Sequence, residues 1–151
     1  MRINKIFSVS VSVLIILFAS TSVRSEQHVV KLLTTASNGE TMVFEPGFLK
    51  VSVGDTIVFE PADASHNAES FFAPISDANF YTELGVTESV VLTQEGVYLY
   101  KCTPHFMLGM IGVIQVGKAV NKMEALAAWD ENKGTLVMNQ DRMSTYLDQI
   151  K

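Results

Sequence analysis

The stretch Gly96-Val97-Tyr98-Leu99-Tyr100-Lys101-Cys102-Thr103-Pro104-His105-Phe106-Met107-Leu108-Gly109-Met110-Ile111-Gly112-Val113-Ile114-Gln115-Val116 sets two short apolar runs around a loop of soft side chains. Successive side chains of a strand point to opposite faces, so in Val97 to Cys102 the side chains of Tyr98, Tyr100 and Cys102 share one face. If that face is the core, Cys102 leaves the strand at its buried end. Pro104 stiffens the following loop and removes one backbone N–H from it. Gly109 allows the tight turn that brings Met110 back toward Cys102. Ile111 to Val116 is the return strand.

Working outward, the same grammar recurs. His28 to Ala36 is β-rich and ends at Ser37-Asn38-Gly39, and Met42-Val43-Phe44 stops at Pro46-Gly47. Leu49 to Val53 alternates apolar and polar residues, as a half-buried strand does. Gly54-Asp55 is a turn signal, Thr56 to Glu60 the next strand, and Ser89 to Thr93 another, joined to Val97 through Gln94-Glu95-Gly96. Short strands separated by Gly, Pro and Asn turns predict a mainly β chain, an antiparallel sandwich or barrel. The pattern changes after Gly117. Val120, Met123, Leu126 and Ala127 recur at helical spacing, Asn132 to Gly134 interrupts, and Leu136, Met143, Leu147 and Ile150 share a second face. These read as two amphipathic helices packed on the sandwich, with Met and Trp129 side chains as core filler. The expected single domain spans residues 26–151, with strands over about 28–117 and helices over about 119–150.

The first segment reads as an export signal. Arg2 and Lys5 precede the apolar run Phe7 to Ala19, and Val23-Arg24-Ser25 suits cleavage after Ser25, so residues 1–25 are expected to be a secretory signal peptide. The run is too short and too rich in serine for a spanning helix. The whole chain carries a formal charge of −5; without Arg2, Lys5 and Arg24, 8 basic residues face 16 acidic ones, a net −8. Such a chain lacks the basic face that nucleic acid requires, and it has no Lys/Arg cluster for an anionic membrane. The single cysteine, Cys102, cannot form an internal disulfide. It is therefore inert, intermolecular or a ligand.

Its neighbours favour a ligand. Thiolate and imidazole together suit copper or zinc, and a thioether adds a preference for reduced copper. Two His and one Cys in a plane with a long axial Met make the blue-copper electron-transfer geometry. His105 lies three residues after Cys102 and Met110 five after His105, whereas Met107 is only two after His105 and would cramp the loop. A second histidine must come from elsewhere. The chain has three, and His66 follows a strand and opens His66-Asn67-Ala68-Glu69-Ser70. His28 reads as an ordinary strand histidine, with one sharper reading: after cleavage, Glu26-Gln27-His28 would place an amine, two amides and an imidazole where a second, square-planar Cu(II) could bind.

His66-Asn67, Cys102-Thr103-Pro104-His105 and Met110 together resemble the copper site of the cupredoxin (type 1 blue copper) family, most specifically its pseudoazurin branch. Met42-Val43-Phe44-Glu45-Pro46, Leu49-Lys50-Val51 through Gly54-Asp55-Thr56, Gly96-Val97-Tyr98 and the two C-terminal helices extend the resemblance over nearly all of residues 26–151. It implies a cupredoxin Greek-key antiparallel β-sandwich with two C-terminal α-helices. It implies one copper ion cycling between Cu(I) and Cu(II), held by His66, Cys102, His105 and Met110. Asn67, and Pro104 in the loop, would stand just outside the ligands; such outer residues tune affinity and potential. The implied role is a monomeric periplasmic carrier of single electrons between larger redox enzymes, docking transiently, with copper nitrite reductase a candidate acceptor.

In such sites one imidazole edge reaches the surface, which makes His105 the expected electron exit and Phe106, Met107 and Leu108, beside Pro104, the expected docking patch. The charge departs from the family pattern. Tyr81-Thr82-Glu83-Leu84-Gly85 stands where basic residues are common, leaving Lys50 and Lys101 as cationic contacts. A catalytic copper with an open position needs more histidines than His28 can supply. The rival function is a periplasmic copper-handling protein, which would offer several exposed Met or His ligands; a structural zinc site would want a closed set without a weak thioether.

Overall fold

Apolar runs at both ends of the ligand loop become the two central strands of one sheet. In a computed structural model describing residues 25–151, the strands are β1 (Gln27–Thr35), β2 (Thr41–Glu45), β3 (Phe48–Val51), β4 (Thr56–Pro61), β5 (Glu69–Phe72), β6 (Glu88–Val91), β7 (Gly96–Lys101) and β8 (Ile111–Val116). They form two four-stranded sheets, ordered β2-β1-β4-β6 and β3-β8-β7-β5. The expected signal peptide lies, apart from Ser25, outside the described residues. No helix among the described residues is long and apolar enough to cross a membrane.

The expected sandwich is present, with mixed pairing inside it. β1 runs parallel to β4 and β3 parallel to β8, while the other pairs are antiparallel. Strand β5 is not among the strands expected from the sequence. It is short, opens on the polar Glu69 and Ser70, and its register with β7 shifts between Ser70 and Phe72. That shift erases the two-residue alternation by which strands are recognised.

The two faces of β7 have different partners. Tyr98, Tyr100 and Cys102 point between the sheets, into a core with Leu32, Phe44, Ile57, Phe59 and Ile114. Val97 and Leu99, with Ile111 and Val113 of β8, point the other way, against α1 (Lys122–Asn132) and α2 (Arg142–Leu147). This sheet is buried on both faces, so β8 is buried at every position. Gly112 is required there, because a side chain at this position would drive into the ring of Tyr100.

Leu136, Met143, Leu147 and Ile150 are all buried with Trp129, but only Met143 and Leu147 lie on α2: the expected second helix is shortened to Arg142–Leu147, with Leu136 in extended backbone before it and Ile150 beyond its end. The first helix is rotated from the expected stripe. Val120, just before α1, and Met123 are 65% and 72% exposed; Ala125 and Trp129 make the buried face, with Leu126 of the expected stripe packed beside them. The pair Ala125–Trp129 also has helical spacing, and the single large ring outweighs two smaller side chains in the area it removes from water.

The N-terminal strand is tied down by Asp55. Its buried carboxylate accepts from the backbone N–H of Glu26 (2.9 Å) and Ser52 (2.8 Å) and pairs with His28 Nε2 (3.0 Å). The second-copper reading of Glu26-Gln27-His28 supposes a free Glu26 amine after cleavage; in the uncleaved chain the Glu26 N–H and the His28 ring bind Asp55, and residues 27–32 pair along β4. The Asp55 carboxyl is held below its ordinary 3.8, first by the Glu26 N–H, with Ser52 and His28 adding to the effect against the opposing cost of burial. The unfolded chain therefore takes up protons first as pH falls through that range, and Asp55's contribution to stability is lost. Asp55→Asn is expected to lower the unfolding free energy by about 1–3 kcal/mol in urea melts at pH 7, and the gap from the parent should close as the pH falls below 3.8.

Candidate metal centre

Three donor atoms from two distant loops meet at one end of the sandwich. The nearest atoms are His66 Nδ1 and His105 Nδ1, 3.2 Å apart; Cys102 Sγ lies 3.5 Å from His105 Nδ1 and 3.9 Å from His66 Nδ1. All three lie within 4.8 Å of one another. Cys102 and His66 are fully buried and His105 is half-buried.

The downstream loop is stitched to itself. The Cys102 N–H reaches the Met110 carbonyl at 3.0 Å, closing the loop at its neck; the N–H groups of His105 and Met110 reach the carbonyls of Cys102 and His105, each at 3.2 Å. Gly109 stands at φ +78, a backbone state that side chains disfavour, and a Cβ there would press on Met138 and Asn139. Its turn sends Met110 inward, fully buried in the same cluster as Cys102, while Met107 is turned out at 54% exposure. Of the two methionines, Met110 is the one on the donor side.

The loop is also braced from outside by residues the sequence did not point to. Arg142 Nη1 donates to the Gly109 carbonyl (2.7 Å) and the Met42 carbonyl (2.6 Å), and its other terminal nitrogen to the Thr41 carbonyl (3.1 Å). Asn139 Nδ2 holds the Leu108 carbonyl at 2.8 Å, and the Val137 N–H holds that of Met107 at 2.9 Å. A polar residue interrupting an apolar helix stripe was the only available signal, and Arg142 next to Met143 gives it. The C-terminal helices thus cover one sheet, and Arg142 with the segment just before it holds the ligand loop.

The upstream loop is joined to it through Asn67. The Asn67 Oδ1 accepts the Thr103 N–H at 2.8 Å, and its Nδ2 donates to Thr103 Oγ1 (3.0 Å) and the Thr82 carbonyl (3.3 Å). Thr103 Oγ1 passes its own proton to Glu69 at 3.0 Å. Every polar atom of the Asn67 amide is used, as a fully buried amide requires. Pro104 is exposed, between Thr103 and His105. Phe106 packs on Phe71 of β5 at 5.6 Å between ring centroids, with Lys101 Nζ 5.1 Å above its ring.

Burial pushes the His66 imidazolium pKa down, His105 adding to the effect and Asp63 opposing it. Burial raises the Cys102 thiol, while the backbone N–H groups of Asn67 and His105 lower it. Those two donors are placed to stabilise a thiolate. Two imidazoles and a sulfur with thiolate-stabilising donors are thus gathered at one point. Two ring nitrogens and a sulfur with a buried thioether nearby match the donor set that copper takes in blue-copper sites.

The two lysines expected as cationic contacts fare differently. Lys101 is at the site but pairs with Glu69 at 3.7 Å. Lys50 lies opposite Gln115 in β8, toward the end of that strand away from the ligand loop. The segment 81–86 does border the site: Tyr81 pairs with Glu69, and the Gly85 N–H reaches the His66 carbonyl at 2.9 Å.

Comparison with known proteins agrees with this geometry. Residues 30–117 match the model of copper binding proteins, plastocyanin/azurin family. The chain is 37% identical to a pseudoazurin of Paracoccus pantotrophus over 65% of its own length and 68% of that protein's. It is 31% identical to a pseudoazurin of Methylorubrum extorquens over 84% of each. The crystal structure of native pseudoazurin from Hyphomicrobium denitrificans superposes with a TM-score of 0.71 at 34% identity, covering 83% of this chain and 98% of that one.

Asn67→Ala would leave the Thr103 N–H and Thr82 carbonyl without this partner. The expected loss is about 1–3 kcal/mol of stability in urea melts of the metal-free protein, whereas Pro104→Ala, at an exposed position without these bonds, should change it far less.

Proposed function

The chain belongs to the plastocyanin/azurin family of copper-binding proteins, and on that premise we propose that it is an exported blue-copper electron carrier with His66, Cys102, His105 and Met110 as its copper ligands. The observation that carries this reading is the convergence of two imidazole Nδ1 atoms and one buried thiol within 4.8 Å. Bound copper would supply a one-electron couple, Cu(I)/Cu(II). The protein's part is to keep the donors in place while charge changes. The Cys102–Met110 neck, the Asn67–Thr103 bonds and the Arg142 clamp on Gly109 serve that end. Preorganised groups need little rearrangement when charge moves, which is the condition for fast transfer.

His105 is the exit, being the one half-buried donor, and Phe106, Met107 and Leu108 are the docking patch around it. Val137, joined to Met107 through its N–H, and Met138 extend that apolar surface, at 63% and 50% exposure. An apolar face of this kind suits a short-lived encounter between redox proteins. Asp63 and Glu69 stand at the two ligand loops, Glu83 lies between Thr82 and Gly85, whose backbones bond to Ala68 and His66, and Lys101 at the site is paired. That charge favours a partner with a basic or neutral rim over the acidic reductase that a lysine-ringed relative would steer toward. The periplasm is the proposed location, on the export signal read at residues 1–25, and the protein acts as a monomeric carrier rather than an enzyme.

The copper-loaded protein should show strong visible thiolate-to-copper absorption that vanishes on reduction. Cys102→Ser should abolish it. Met107→Leu should leave both absorption and reduction potential in place, and Met110→Leu should shift the potential; a colourless Cu(II) form of the parent would defeat the reading. In stopped-flow exchange with a basic redox protein, the rate should fall as salt rises, while exchange with an acidic one should rise or stay flat.

A further inference from the structure

The back of the His66 ring is built as carefully as its front. Its Nε2, facing away from Cys102, lies 2.9 Å from Thr34 Oγ1 and 3.4 Å from Asp63 Oδ2. Thr34 Oγ1 is itself 2.8 Å from the same carboxylate oxygen. The Asp63 carboxylate is held in turn by the backbone N–H of Ser65 (2.8 Å) and by the Ser65 hydroxyl, one residue before His66.

Proton counting leaves one consistent arrangement. A hydroxyl has a single proton, and an ionised carboxylate only accepts. Thr34 therefore donates to Asp63, and its oxygen accepts from His66 Nε2–H. With the proton on Nε2, the lone pair of Nδ1 faces Cys102 and His105, the side where a metal would sit. The opposite tautomer would place two acceptors, Nε2 and the carboxylate, against each other. His105 differs: among the described residues its Nε2 has no protein partner. One imidazole is thus tied through Thr34 to the Asp63 charge, while the other, half-buried, has no such link.

Resting on the reading of His66 as a copper ligand, we infer that Thr34 and Asp63 are positioning residues that fix the His66 tautomer and bias the bound metal toward Cu(II). Asp63 acts through the Thr34 hydroxyl. Polarising Nε2–H toward a carboxylate makes Nδ1 a stronger donor, and a stronger donor favours the more highly charged ion; partners of this type behind a ligating His change metal affinity by about 10–100-fold. Thr34 lies in β1, so the outer sheet contributes to the site through this contact.

Voltammetry and absorption of copper-loaded Thr34→Val, Thr34→Ser, Asp63→Asn and the Thr34→Val/Asp63→Asn double variant test this. Thr34→Val should shift the Cu(I)-to-Cu(II) affinity ratio about tenfold toward Cu(I), a rise of about 59 mV for one electron. Thr34→Ser should keep the parent potential. Asp63→Asn should move it the same way by less, and should add little in the Thr34→Val background, as coupled residues do. In NMR of the zinc-loaded protein the His66 Nε2–H should be protected from exchange in the parent and exposed in Thr34→Val. Unchanged potentials with the blue absorption intact, or an Asp63→Asn shift of equal size with and without the Thr34 hydroxyl, would overturn the relay while leaving the ligand reading standing. A colourless parent Cu(II) form would overturn the ligand reading and the relay with it.

Discussion

Asn67 joins the two loops whose meeting makes the site. Residues 66 and 102 lie far apart in the chain, and nothing local brings His66 to Cys102. The Asn67 amide does so by holding both the backbone N–H and the hydroxyl of Thr103, with its remaining capacity spent on the Thr82 carbonyl. An amide buried with all its bonds made has one acceptable position. The sandwich provides the platform for it: β4 ends just before the His66 loop, and β7 and β8 deliver the two ends of the other loop in fixed register. Donors are thereby held 3.2–3.9 Å apart by the protein itself. That preorganisation is what separates a carrier from a protein that folds around its metal.

The readable and unreadable parts of the structure divide along physical lines. Cys102, His105 and Met110 were legible because nine residues with a proline and a glycine between two strands leave few geometries for the loop. β8 was legible because it is a strand of mostly apolar residues, broken only by Gln115, between clear turns. β5 was hidden by its shifted register and polar start. The buried face of α1 was misassigned because Val120 and Met123 satisfy the helical period as well as Ala125 and Trp129 do; which set wins depends on the sheet beneath. Thr34, Asp63 and Asn139 were invisible as site residues, and Arg142 carried no signal beyond a charge beside the apolar Met143. Their contributions come from contacts between segments remote in sequence, and no periodicity encodes such contacts.

The same distinction holds for the surface. An apolar patch around His105 follows from the loop's composition: Met107 turns outward, while Phe106 packs on Phe71 and Leu108 is half-buried beside it. Charge around the patch depends on which distant segments come to rest there. Lys50 looked available in the sequence and is placed toward the other end of the sheet; Lys101 is at the site but paired with Glu69. The acidic character of the site end therefore belongs to the tertiary structure.

A fixed donor set that does not change with the metal's charge is the property on which the carrier reading rests. X-ray absorption at the copper edge, recorded on the oxidised and the reduced protein, measures it directly. The same shell in both states, two imidazole nitrogens and one thiolate sulfur with only small changes in distance, is the expected result. Loss of an imidazole or of the sulfur on changing oxidation state, or a shell without sulfur in the oxidised form, would contradict it.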